Sequence, residues 1–171
     1  MKISISSPEF VADPYTGTRG LYVATTPTDE TAEFLSNLAS LFGYIPDRGK
    51  FHVTVMYAPE KYPQPGPWMT IDKDQEFTGL FSRCQHWDGN DGKGYLSARL
   101  HSVDLQSCHR KFIAQGCKHT FTPYEPHVTL WSGVPRTIDL SNKMASVQSQ
   151  FGGSPVSLTF KGLIVADIKK D

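Results

Sequence analysis

Between Gly20 and Ile168 short apolar runs of strand length alternate with longer segments whose apolar residues recur at helical spacing. Gly20–Thr26 is the first expected strand, with Tyr22 and Ala24 on one face and Leu21, Val23 and Thr25 on the other. Thr28 or Asp29 can cap a helix that reaches Phe42 on the stripe Phe34, Leu35, Leu38, Leu41 and Phe42, with Gly43 as the stop. Pro46–Lys50 reads as a turn and Phe51–Tyr57 as the next strand. Residues 58–74 carry prolines at 59, 63, 65 and 67, which predicts a long loop; Tyr62 and Trp68 in it are either hydrophobic plugs or part of a binding surface. Glu76–Trp87 and Gly94–Leu100 form the arms of a hairpin around the turn-rich Asp88–Gly92. A second helix, Val103–Gln115, puts Leu105, Cys108 and Phe112 on one face with Ile113 beside them, leaves His109 on the solvated side, and ends at Gly116. Pro126–Trp131 is strand-like. Asp139 or Ser141 then opens a third helix on Leu140, Met144, Val147 and Phe151, stopped by Gly152-Gly153. Val156–Ile168 is the last strand, apolar enough over Gly162–Ala166 to lie centrally in a sheet. Residues 1–18 read as an irregular arm, in which Ile3 and Ile5 could add an edge strand, ahead of one domain over residues 20–167.

Composition narrows the partners. The chain has 171 residues, enough for a single substantial core, and its 17 basic and 17 acidic residues cancel. Zero net charge argues against coating long nucleic acid, which needs a basic face, but allows a small anion held by local contacts. Three cysteines, Cys84, Cys108 and Cys117, form no C-x-x-C pair and suit a reducing cytoplasm as small core residues. The start, MKISISSPEF, has no apolar leader core, and no run approaches 18 apolar residues, so neither export nor a membrane span is expected.

One short motif occurs twice. Phe51–Tyr57 reads FHVTVMY and Pro126–Trp131 reads PHVTLW, so His52-Val53-Thr54-Val55 matches His127-Val128-Thr129-Leu130. On a strand, His and Thr two apart share a face while the intervening valine points into the core. The context repeats as well: His52 lies 31 positions after Leu21 and His127 lies 32 after Tyr95, each across a strand and a helix. Duplicated units with their special residues at equivalent places predict two lobes about a pseudo-twofold, facing each other across a cleft. Two imidazoles and two hydroxyls around one small anion form an acid–base pair with a phosphate grip. A single HVT in an apolar strand would be ordinary strand sequence; the pairing gives it chemical meaning.

The two H-Φ-[ST]-Φ motifs in a duplicated α+β chain resemble the 2H phosphoesterase superfamily over roughly residues 20–167. Within it, GLYVATTPTDE near the start, the HVT pair and the aromatic segment around Trp87 make the chain look most like the phage anti-CBASS nucleases. That resemblance implies a two-lobed 2H fold with antiparallel sheets around a central cleft, and a metal-independent phosphodiesterase needing no cofactor. His52 and His127 would be the acid–base pair, and Thr54 and Thr129 the phosphate grip. The substrate would be a cyclic di- or trinucleotide signal of bacterial antiphage immunity, met in the host cytoplasm. The alternatives are an RNA-end 2′,3′-cyclic phosphodiesterase or ligase-type enzyme, and a sponge that binds cyclic nucleotides without cutting them.

A nucleotide also needs base contacts. Tyr22, by the GLYVAT resemblance, and Trp87, before the hairpin turn, are candidate stacking platforms, Tyr22 being equally readable as a core tyrosine. By parity Trp131 joins the His127/Thr129 face, whereas Tyr57 falls on the core side. Lys50 and Lys118 are possible counter-charges. A zinc site from His119, His127 and a cysteine has no recognised ligand spacing. Oligomeric state leaves no trace in the sequence.

Overall fold

The computed structural model describes residues 20–61, 72–89 and 91–168. These form β1 (Gly20–Pro27), α1 (Asp29–Ser40), a single 3-10 turn (Arg48–Lys50), β2 (Val53–Lys61), β3 (Glu76–Asp88), β4 (Gly94–His101), α2 (Val103–Ala114), β5 (His127–Val134), α3 (Ser141–Phe151) and β6 (Ser157–Asp167). The fold is α+β. The first expected loop is shorter than its prolines suggest, because β2 runs on to Lys61. Residues 62–71, with Tyr62 and Trp68, and the arm before Gly20 lie outside the described residues.

The six strands pair antiparallel in the order β1-β2-β5-β4-β3-β6, and β6 pairs back onto β1 to close the sheet. The two sheets expected from the duplication are thus one. The units β1-α1-β2 and β4-α2-β5 sit side by side in it, β3 extends the second beyond β4, and β6 joins β3 to β1. Its first part, Ser157–Lys161, pairs with β3, and Phe160–Asp167 with β1. Gly162, at φ +83°, sits where the strand changes partner, a conformation that costs glycine nothing.

Helix ends follow local chemistry. The Thr28 hydroxyl accepts from the Thr31 N–H at the start of α1, and the Ser102 hydroxyl from that of Leu105 at the start of α2. Ser102 also donates to the Thr78 carbonyl, tying α2 to β3. Asp139 accepts from the Ser141 N–H ahead of α3. Gly43 (φ +84°) and Gly116 (φ +93°) follow α1 and α2 in the left-handed conformation that relieves a helix C-terminus.

The helices cover one side of the sheet. Leu35, Leu38 and Phe42 of the first unit and Leu105, Cys108 and Phe112 of the second pack there against Leu21, Val23, Val53, Val55, Leu96 and Ala98. Phe34, Phe81 and Phe151 meet edge to face, with centroids 5.6–5.8 Å apart, and knit α1, β3 and α3 together. Two expectations for α2 reverse: Ile113 is exposed and His109 is buried. Leu105, Cys108, His109 and Phe112 form the i, i+3, i+4, i+7 stripe, which leaves Ile113 beyond its edge. The opposite side of the sheet carries a smaller cluster of Tyr22, Ala24, Tyr57, Ala166 and Ile168, and it is on this side that the HVT motifs meet. No helix of the described residues is long and apolar enough to cross a membrane.

Candidate active site

β2 and β5 pair at one position, Val53 opposite Val128, so the two central valines form the seam between the units. This brings His52 and His127 near enough that a charge on His127 bears on His52. Each imidazole is held in the same way. His52 Nδ1 lies 2.8 Å from the Lys50 carbonyl and His127 Nδ1 lies 2.9 Å from the Glu125 carbonyl, in both cases the residue two before. A carbonyl can only accept, so Nδ1 carries the proton and Nε2 is left as the basic nitrogen. Burial is the main influence holding both imidazoles below their ordinary range, and the carbonyl bonds oppose it; the charge of His127 lowers His52 further, as that of Arg99 lowers His127. Thr54 and Thr129, both half-buried, lie opposite Ala24 and Ser97 on the neighbouring strands.

Immediately after each threonine the strand bulges. Ala24 pairs with Thr54 but Val23 with Met56, leaving Val55 as the extra residue; Ser97 pairs with Thr129 but Leu96 with Trp131, leaving Leu130. Both bulges reverse the alternation beyond them, and two assignments made by parity change sides. Tyr57 does not face the main core but lies opposite Tyr22 in the second cluster. Trp131 does not continue the His127/Thr129 face: it pairs with core Leu96, packs against the helix-side core and stacks on Tyr44, centroids 4.9 Å apart.

The other aromatic candidates differ in access. Trp87 is 40% exposed, stacks on Tyr95 at 4.7 Å and donates from Nε1 to the Ser97 hydroxyl, so its ring is held beside Thr129's neighbour. Tyr22 is 3% exposed; it meets His52 edge to face at 6.4 Å and shares a side-chain hydrogen bond with Thr54. In this structure it presents no open ring face to a base and instead supports the first motif from below.

Beyond Val53 the seam opens, and the segment after α2 fills it. The Tyr124 hydroxyl donates to the Thr54 carbonyl, and His109 donates from Nδ1 to the carbonyl of bulged Val55 at 2.7 Å. The Tyr57 N–H donates to His119 Nδ1 at 3.0 Å, and the Tyr57 carbonyl accepts from Thr120. His109 stacks on Tyr124 (4.1 Å) and meets His119 edge to face (4.8 Å). As an acceptor, His119 Nδ1 must be bare; burial, with the charges of His109 and His127, brings that ring's pKa down to about 4. Backbone groups that no strand satisfies are therefore satisfied by side chains and by the Thr120 N–H, as buried amides require.

The second unit has a charged counterpart. Arg99 lies opposite His127 on β4 and reaches Gln85 Oε1 at 2.6 Å and Glu125 Oε2 at 2.8 Å. The Arg99 bond and charge are the chief cause holding the Glu125 carboxyl below its usual range. Of the two lysines expected as counter-charges, Lys118 makes an exposed ion pair with Glu60 at 3.8 Å, and Lys50 bears on the site through its backbone carbonyl, which holds His52. Sequence reasoning missed Arg99, Glu125, His109, His119 and Tyr124. Arg99 had a signal, since Tyr95, Ser97 and Arg99 alternate with apolar Leu96, Ala98 and Leu100; His119 and Tyr124 sit in irregular chain and had none. Among the described residues no group of three or more His, Cys, Asp or Glu side chains is placed to hold a metal ion.

A family model described as Anti-CBASS protein Acb1 matches residues 19–150, which takes in both HVT motifs, the Trp87 hairpin and the loop that fills the seam. The chain is also similar to the Anti-CBASS protein Acb1 of Vibrio phage KVP40, 32% identical over 84 residues that cover 49% of this chain and 52% of that protein. It thus aligns with about half the length of this curated relative. With the family match spanning most of its length, the chain belongs to the Anti-CBASS protein Acb1 family.

Proposed function

We propose that this chain is a metal-independent phosphodiesterase of the 2H type that cuts cyclic di- or trinucleotides, and so removes the signal on which CBASS immunity depends. The observation that carries this reading is the matched pair of imidazoles, each fixed through Nδ1 by the carbonyl two residues before it, with Nε2 left basic. A sponge has no need of two imidazoles prepared alike. One Nε2 takes the proton of a ribose 2′-hydroxyl, whose oxygen attacks the adjacent phosphorus; the bond to the 5′-oxygen breaks as the other imidazole delivers a proton to it. The product is linear with a 2′,3′-cyclic phosphate end, which the same pair can open with water. Thr54 and Thr129 donate to the phosphate oxygens as charge builds there. Burial keeps both rings neutral in the empty site, and the negative phosphodiester restores the proton that the acid needs. Of the stacking candidates, exposed Trp87 takes a base, whereas Tyr22 positions His52 and Thr54.

The test is a pair of 3′,5′-cyclic dinucleotides, ribose and 2′-deoxyribose, incubated in excess chelator with product masses followed in time. The ribose compound should be cut, first to a product of unchanged mass and then to one heavier by a water; the deoxy compound should bind and stay intact. Cleavage of both at similar rates would show that water attacks directly. Recovery of the ribose compound unchanged would leave the sponge.

A further inference from the structure

Arg99 is not explained by the acid–base pair, and its surroundings are those of an occupied anion site. It projects from β4 on the side away from the helices, since Leu96, Ala98 and Leu100 take the core side and its pairing partner is His127. The guanidinium is mostly enclosed: the side chain is 16% exposed, whereas that of Glu125 is 52% exposed. Its Nη1 is shared between Gln85 and Glu125, and its Nε is buried with no acceptor. A buried N–H without a partner destabilises the empty state. Arg83, opposite Arg99 on β3, adds its field at the same carboxylate. Glu125 therefore occupies a place where two arginines favour an anion, and a carboxylate is the nearest side-chain equivalent of a phosphate edge.

We propose that Arg99 is the cationic half of a phosphate subsite beside His127, and that the Glu125 carboxylate holds this subsite until a phosphate of the substrate displaces it. The proposal rests on the cyclic-nucleotide reading above and names the residue that meets the substrate's charge. Glu125 is suited to the exchange because its two functions are separable. Its carbonyl stays on His127 Nδ1, while its half-exposed carboxylate turns out to solvent and leaves one Nη1 donor of Arg99 free, with Gln85 still on the other. An incoming phosphate can then take the carboxylate's place at Nη1, while Nε, on the other edge of the guanidinium beside Nη2, offers a second donor that a lysine cannot reproduce. β1, the counterpart of β4, carries no arginine, so the two lobes would grip the ring unequally.

Binding of a 2′-deoxy 3′,5′-cyclic dinucleotide, which resists cleavage on the reading above, tests this by calorimetry on wild type, Arg99→Met, Arg99→Lys and Glu125→Gln. Arg99→Met should bind about 10- to 100-fold more weakly, the loss expected for charge-assisted hydrogen bonds, and Arg99→Lys should fall between it and wild type. Glu125→Gln should bind as well as wild type or several-fold tighter, because the competing carboxylate is gone. If Glu125→Gln weakens binding as much as Arg99→Met, arginine acts only by holding Glu125 and the proposal fails; wild-type affinity in Arg99→Met also overturns it. Should Arg99→Met not fold, the Arg99→Lys and Glu125→Gln pair still decides, because only the first should bind more weakly than wild type. Absence of binding by wild type itself would refute the cyclic-nucleotide reading, a result distinct from any of these.

Discussion

The units β1-α1-β2 and β4-α2-β5 repeat one another closely where they hold an imidazole and diverge where they surround it. Each places a histidine against the carbonyl two residues back, a threonine two residues on, and a bulge directly after the threonine. Around that shared frame the first unit is neutral: Tyr22 lies under His52, and the Tyr124 hydroxyl and the rings of His109 and His119 serve the backbone beyond Thr54. The second is charged, with Arg99 and Glu125 beside His127, and carries the exposed Trp87 on its outer hairpin. On the proposed reading, what is duplicated is what proton transfer needs in two copies, and what differs is what a substrate needs only once, a charge contact and a stacking face.

The largest effect should come from breaking the shared part. His52→Ala and His127→Ala are each expected to lower turnover of a cyclic dinucleotide by about 10²–10⁴-fold, with thermal unfolding little changed because both rings are half-buried at the seam. The double variant should be only slightly worse than either single, as for groups that act as a unit. A single variant that keeps near-normal turnover would show that the two units are chemically unequal despite their matched geometry.

The two tryptophans sharpen the contrast between access and packing. Trp87→Ala should weaken cyclic dinucleotide binding by roughly 1–3 kcal/mol, the contribution of one base stack, and leave stability nearly unchanged. Trp131→Ala should do the reverse, since Trp131 stacks on Tyr44 and packs against the helix-side core. Calorimetric titration beside thermal melts reads both quantities. Loss of affinity in Trp131→Ala at unchanged stability would put that ring back in the cleft.

This reversal marks the limit of what the sequence carried. Strands and helices were legible because their apolar periods are strong, and the meeting of the two motifs because HVT recurs at matched spacing. Closure of the sheet was not, because pairing of both halves of β6 depends on a partner change at Gly162 that no local pattern announces. Parity assigned Trp131 and Tyr57 wrongly for one reason: a bulge adds a residue without altering composition, and every side chain beyond it changes face. His109 was misread although its i+4 relation to Leu105 placed it on the buried stripe. His119 could not be found, because its partner, the Tyr57 N–H, is 62 positions away.

His119 gives the effect whose sign with pH is most constrained. Its ordinary pKa of 6.5 is brought to about 4 in the folded protein, chiefly by burial. Between those values the unfolded chain binds a proton that the folded chain refuses, so stability rises with pH across this window. Its contribution is full above about pH 6.5 and is lost progressively as pH falls towards about 4. The structural cause is specific, since a proton on Nδ1 would oppose the Tyr57 N–H that this nitrogen accepts from. His52, His109 and His127 are lowered as well and add slopes of the same sign, but their Nδ1 atoms already carry protons, so charging them breaks no bond to the strand. His119→Ala should therefore be less stable than wild type at pH 7, by roughly 1–3 kcal/mol for the stranded N–H. The gap should narrow as pH is lowered to 5, where wild type has lost part of what the imidazole supplied. Urea unfolding at the two pH values measures it. A gap that stays constant or widens on acidification would mean that His119 does not hold β2 through an unprotonated Nδ1, and that the first unit is braced by His109 and Tyr124 alone.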